Sequence, residues 1–154
     1  MNSGQFPESI IIADPQKVDL EPDPIPAEWI LSGAPKGSSK IIARNQDSLL
    51  TVVVWECTAG TFNWNYAKDE ILFVVSGEAN LVNEKGHTRR FGPGDVVFFP
   101  AGTACTWVVH DRIRKVAVLK ESVWRPLGLG IGIWRRIRRA IWWRLQSKRG
   151  RASF

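Results

Sequence analysis

Between Lys40 and Lys120 the chain is a succession of short apolar runs separated by turn signals. The pattern predicts strands at Lys40–Arg44, Leu49–Cys57, Gly60–Tyr66, Glu70–Ser76, Glu78–Asn83, His87–Phe91, Asp95–Pro100, Ala104–His110 and Arg114–Lys120. Valine, isoleucine, phenylalanine and tryptophan dominate these runs, the residue types that pack well on a pleated, half-buried surface. Ile71–Val75 is apolar throughout and so belongs at the centre of a sheet. Gly92-Pro93-Gly94-Asp95 reads as a tight turn whose Asp95 carboxylate hydrogen-bonds the turn backbone. The strand Val96–Phe99 then stops at Pro100 and Gly102. Many short strands, a turn every 8–12 residues or so, and no amphipathic helix before residue 125 define a sandwich or a barrel.

The flanks read differently. Residues 1–28 carry prolines at 7, 15, 22, 24 and 26 and acids at 8, 14, 19, 21, 23 and 28. This predicts an extended arm with a short edge strand at Ile10–Ala13. Trp29-Ile30-Leu31 is expected to anchor the arm through buried aromatic surface, ahead of a Gly/Pro/Ser loop at Ser32–Ser39. The expected organisation is an arm over 1–32, a barrel over 33–122 and a tail over 123–154.

Charge separates the barrel from the tail. The net charge is +6, yet from Arg125 onward there are nine Lys/Arg and no Asp/Glu. Residues 1–124 are therefore mildly acidic, with 12 basic residues against 15 acidic ones. Cys57 and Cys105 lie in apolar strand patterns without CxxC spacing, as buried reduced thiols do. No signal-peptide pattern opens the sequence and no run reaches the roughly 18 apolar residues that span a bilayer, so the expected location is cytoplasmic.

Two stretches carry a resemblance. Glu70, six residues and Gly77 match the end of the first cupin motif, which is Gly, two histidines, Glu, six residues and Gly. Gly94, Pro100 and Gly102 match the second, which continues to a histidine where this chain has Cys105. The chain thus resembles the cupin superfamily. The resemblance implies an all-β double-stranded β-helix, or jelly roll, over about residues 24–122. Pro24–Gly33, together with Asp69-Glu70, is similar to a branch of single-domain proteins like the cupin module of (S)-ureidoglycine aminohydrolase. Cupins often pair through their sheets, so the resemblance also implies a homodimer.

The departures from the motif bear on chemistry. A cupin metal site needs three imidazoles and a carboxylate, since neutral histidine and Glu suit divalent first-row metals. Here the first two histidine positions fall on Trp64 and Tyr66, or on Asn63 and Asn65, and the third on Cys105. The chain's histidines, His87 and His110, sit at a turn and a strand end. The expectation is no metal and no cofactor. Phe62, Trp64 and Tyr66 share one strand face, and Cys105 and Trp107 share another. If both faces point inward, these five residues and Glu70 either line a cup for a small organic ligand or fill the barrel as core. Glu70 is the candidate general base, with Tyr66 or Cys105 as partner, in an enzyme of small nitrogenous metabolites. Alternatively it pairs structurally with Arg114, Lys115 or Arg44.

The tail reads as a helix over about 133–146. At 100° per residue, Ile133, Trp134, Ile137, Ala140, Ile141 and Leu145 form one apolar arc. Arg135, Arg136, Arg138 and Arg139 oppose it, Arg144 breaks the arc, and Trp142 and Trp143 border it. This pattern fits contact with an anionic membrane surface. The alternatives are packing on the barrel or a partner subunit, or non-specific nucleic-acid binding, with nucleic acid the weaker reading.

Overall fold

The structure is a computed structural model and describes residues 10–121. Eight strands and one 3-10 turn build it: β1 (Glu21–Pro22), the turn Ala27–Trp29, β2 (Ile30–Gly33), β3 (Gly37–Arg44), β4 (Leu50–Asn65), β5 (Asp69–Val82), β6 (Thr88–Phe91), β7 (Val96–Phe99) and β8 (Ala104–Lys120). All pairings are antiparallel, in the order β1-β3-β4-β8-β5-β6, with β2 on β4 and β7 on β5.

Three pairs of expected strands are single long ones. β4 (Leu50–Asn65) takes in nearly all of Leu49–Cys57 and Gly60–Tyr66, β5 (Asp69–Val82) nearly all of Glu70–Ser76 and Glu78–Asn83, and β8 (Ala104–Lys120) both Ala104–His110 and Arg114–Lys120. The turn signals between them mark bends, not chain reversals. Register shifts fall between Thr58 and Gly60 on β4 and between Gly77 and Ala79 on β5, both opposite residues 109–113 of β8. Extra residues at one level of three adjacent strands bend the whole sheet together and curl it into a barrel. Gly77 makes its bend possible: at φ 72°, a Cβ there would lie 1.9 Å from the Arg112 carbonyl oxygen.

The inward positions form one core that includes Trp55, Cys57, Phe62, Leu72, Phe91, Phe99, Trp107 and Ile113. The β6–β7 turn closes as the sequence predicts. The Gly92 N–H donates to Asp95 Oδ2 at 2.9 Å, and the Asp95 N–H to the Gly92 carbonyl at 3.0 Å.

The arm departs from expectation. Ile10–Ala13 forms no strand, and Ile10, Ile11 and Ile12 are exposed. Of the expected anchor, Trp29 and Ile30 are half-buried against the core, with Trp29 edge-on to Trp64, whereas Leu31 is exposed; Ile25 adds a buried contact. Much of Ser32–Ser39 is strand, in β2 and the start of β3. Polar contacts hold the rest of the arm. Arg114 donates to the carbonyls of Pro15 (2.7 Å) and Val18 (2.6 Å) while pairing with Glu56. Among the described residues no helix is long and apolar enough to cross a membrane. The helix expected over 133–146 lies outside the described residues.

Candidate functional site

Alternation along β4 turns Phe62 and Trp64 inward, Tyr66 follows just past its end, and β8 turns Cys105 and Trp107 toward them. Trp64 sits opposite Cys105, and Phe62 opposite Trp107. Glu70, near the start of β5, faces the same interior. The six residues singled out in the sequence thus share one region, but they are packed rather than open. Phe62, Tyr66, Glu70 and Trp107 are all buried. Phe62 stacks on Trp107 with centroids 6.2 Å apart, and Tyr66 stacks on Phe99 at 4.1 Å. The Trp107 indole N–H donates to the Tyr66 hydroxyl at 3.0 Å, which satisfies both polar atoms inside the apolar cluster.

Glu70 is bound to a cation of the chain itself. Lys115 Nζ lies 2.5 Å from Glu70 Oε1, and both side chains are about 95% buried (5% and 6% exposed). The ammonium also sits 5.0 Å from the Trp55 ring and 5.1 Å from the Trp107 ring, so two indole faces and one carboxylate surround it. Of the three basic residues named as partners for Glu70, Lys115 takes the position. Arg114, next along β8, points to the opposite face and binds Glu56 and the arm.

Trp55, Phe91 and Phe99 complete this interior, and none was singled out from sequence. Trp55 and Cys57 alternate with Val54 and Glu56, so a face assignment for β4 would have found Trp55. Burial pushes the Tyr66 phenol and the Cys105 thiol upward in pKa, and the Cys57 thiol up to about 12.

The donor set does not fit a cupin metal ion. Indole and buried phenol occupy the imidazole positions, Cys105 is held as the protonated thiol, and Glu70 already bonds Lys115. Among the described residues no group of three His, Cys, Asp or Glu side chains converges. His87 and His110 are exposed, and His110 Nε2 lies 3.0 Å from Asn80 Nδ2.

Open space adjoins the cluster at the strand ends. A cleft of about 300 Å3 is lined by Trp29, Asn63, Asn65, Val82, Asn83, Glu84, Ala104, Cys105 and Thr106. Cys105 belongs to both the cleft and the packed interior. Glu84 is the one charged residue in the lining; three amides, an indole and a hydroxyl supply the rest of its recognition chemistry.

The bent antiparallel strands carry motif Gly77 at a bend within β5 and motif Gly94 and Gly102 in the turns on either side of β7. Residues 44–117 match the family model described as EutQ-like cupin domain. That match covers just under half of the chain, and the described barrel has a cupin-like fold. The chain is 37% identical over 75 residues to dimethylsulfoniopropionate lyase DddQ of Ruegeria pomeroyi, a match covering 47% of this chain and 37% of that protein. A protein of unknown function of the DUF861 family from Pseudomonas syringae pv. tomato superposes with a TM-score of 0.63 at 24% identity, over 70% of this chain and 46% of that one. The Clostridium difficile EutQ protein superposes with a TM-score of 0.55 at 22% identity, over 70% of this chain and 83% of that one. At these identities the two structures establish the fold.

Proposed function

We propose that this cupin binds a small cationic or zwitterionic organic molecule without a metal ion, in the cleft beside Cys105. One observation carries the reading. The cleft has the volume of a small-ligand site, with an indole wall and a carboxylate as its charged group. The amides of Asn63 and Asn65 supply donors and acceptors that fix orientation. Two lining residues join the cleft to the packed interior: Trp29 sits edge-on to Trp64, and Cys105 packs against the core. Two likenesses support a small metabolite. One is the match to a lyase named for dimethylsulfoniopropionate, and the other is the similarity of Pro24–Gly33 to ureidoglycine aminohydrolase modules. The reactions of those proteins are not carried over to this chain, in which Glu70 is engaged by Lys115.

The test is a calorimetric titration with dimethylsulfoniopropionate, choline, glycine betaine and a ureide panel, alongside the variants Trp29→Ala and Glu84→Gln. Binding that weakens at least about tenfold in either variant supports the site. Binding that neither variant alters, or no binding across the panel, removes it.

The tail pattern favours a second role, peripheral attachment to an anionic membrane through Trp134, Arg135, Arg136, Arg138, Arg139, Trp142, Trp143 and Arg144. Sedimentation with phosphatidylglycerol vesicles tests it. Retention at moderate salt fits tryptophan insertion, and binding to nucleic acid instead of vesicles contradicts it.

A further inference from the structure

Resting on the ligand reading of the cleft, we infer that the site continues past Glu84 into a second cavity and takes a compact zwitterion. The cationic group lies against Trp29 and Glu84, and the acidic group against Lys85 and His87.

The second cavity, of about 500 Å3, shares Asn83, Glu84 and Ala104 with the cleft beside Cys105. With three wall residues in common, the two form one trough. At one end stand the Trp29 indole and the amides of Asn63 and Asn65. Lys85 and His87 line the other. Glu84 belongs to both, so the charge changes sign along the trough, from a carboxylate near an indole to an ammonium and an imidazole. Among the described residues Glu84 and Lys85 enter no ion pair, whereas Lys40, Lys68, Arg90 and Lys120 each hold a carboxylate of the chain.

The order of charges is written in the β5–β6 hairpin, Asn83-Glu84-Lys85-Gly86-His87. Asn83 spends its side chain inside the turn, where Oδ1 accepts the Lys85 N–H at 3.0 Å and the His87 N–H at 2.9 Å. The Gly86 N–H donates to the Asn83 carbonyl at 2.8 Å, and the Asn83 N–H to the His87 carbonyl at 3.0 Å. Gly86 takes the left-handed conformation this closure needs, at φ 77°. The facing wall is tied as well. The Tyr66 N–H donates to the Thr103 carbonyl at 2.9 Å, and the Gly102 N–H to the Tyr66 carbonyl at 2.7 Å. Walls held by their own backbone bonds are preformed, so a ligand loses little affinity to ordering them.

The chemistry of each end selects its group. An indole face and a carboxylate attract a diffuse cation such as a quaternary ammonium or a sulfonium. The Lys85 ammonium brings three donors to a carboxylate, and the His87 ring adds an N–H. Glu84 is one residue from Lys85 and three from His87, at most about 10 Å of chain, so only a few bonds separate the two charges of the ligand. A cation lacking the acid gains nothing from Lys85, and an acid lacking the cation meets Glu84. The trough thereby discriminates against singly charged molecules of either sign.

Calorimetric titration of the full chain at about 0.15 M salt tests this, with γ-butyrobetaine and its methyl ester, which keeps the cation and loses the acid. The wild type is expected to bind the acid at least about tenfold more tightly than the ester. Lys85→Met should cut that preference below about threefold by weakening the acid alone, whereas Glu84→Gln should weaken both compounds by similar factors. Lys36→Met removes the same charge from an exposed lysine outside the trough and should leave the preference in place. All three substitutions fall on exposed side chains, where effects on stability are small. Three results overturn the inference: an ester bound as tightly as the acid by the wild type, a preference that survives Lys85→Met, or one lost equally in Lys36→Met. The first leaves the cleft reading standing when ester binding still depends on Trp29 and Glu84. Binding of neither compound also overturns the inference, and the cleft reading falls with it only when choline, glycine betaine, dimethylsulfoniopropionate and the ureides fail to bind as well.

Discussion

Removing the Lys115 ammonium while keeping its length, as in Lys115→Met, probes the buried pair most directly. The variant leaves Glu70 without its partner at a position 5% exposed. An uncompensated buried carboxylate costs about 3–5 kcal/mol, and losing the cation from between two indoles adds up to about 1–2 kcal/mol. Against a total stability of about 5–15 kcal/mol, this is a large share. It corresponds to a fall in Tm of very roughly 15 °C for a domain of this size. Replacing both charges, as in Glu70→Leu/Lys115→Met, removes the unpaired group and should return most of the loss, because an apolar pair of similar volume is close to neutral or better. Urea denaturation of wild type, both single variants and the double variant closes the cycle, with the slopes checked for equality. A coupling of at least about 2 kcal/mol is expected. If Lys115→Met costs less than about 1 kcal/mol, the pair is solvated in solution and the reasoning about a sealed interior fails.

Further expectations concern the bend, the arm and the thiols. Gly77→Ala places a methyl 1.9 Å from a backbone oxygen at positive φ and should cost at least about 2 kcal/mol in urea unfolding. Arg114→Ala removes the donors to Pro15 and Val18, so trypsin should cut after Lys17 at least about tenfold faster while the barrel stays intact. Burial raises the pKa of Cys57, Cys105 and Tyr66, so the folded state holds those protons more tightly than the unfolded chain. Stability is then full below the ordinary thiol value near 9 and declines as pH rises above it. The slope is about 1.4 kcal/mol per pH unit for each group between its two values. Denaturation midpoints that are flat from pH 8 to pH 10.5 would contradict this.

Much of the barrel was legible because its information is local. Period-two patterning, β-branched content and the Gly92–Asp95 turn gave strands and an all-β class, and the spacing from Glu70 to Gly77 and from Gly94 to Gly102 gave the superfamily. Turn signals such as Gly60 and Gly77 were ambiguous, because a glycine serves a bend within a strand as well as a reversal between strands. The arm was misjudged for a related reason. Ile10–Ala13 has strand composition but finds no neighbouring edge, whereas Arg114, almost a hundred residues away, holds the chain beside it. At the site, alternation put Phe62, Trp64 and Tyr66 on one face and Cys105 and Trp107 on another, and all five are buried in the core or packed against it. The choice of Lys115 over Arg114 as partner for Glu70 depends on which of two adjacent residues turns inward, and the register of β8 against β4 and β5 decides that. The cleft was not foreseen, since Trp29, Asn63, Asn83 and Glu84 come from four separate segments.

The central claim is that the chain's own ammonium, not a metal ion, neutralises Glu70 inside this cupin-like barrel. Elemental analysis by mass spectrometry, on untagged protein purified without added metal, tests it most directly. Manganese, iron, nickel and zinc well below one equivalent per chain, unchanged in Glu70→Gln, is the expected result. Near-stoichiometric metal that is lost in Glu70→Gln would contradict the claim and make Glu70 a ligand.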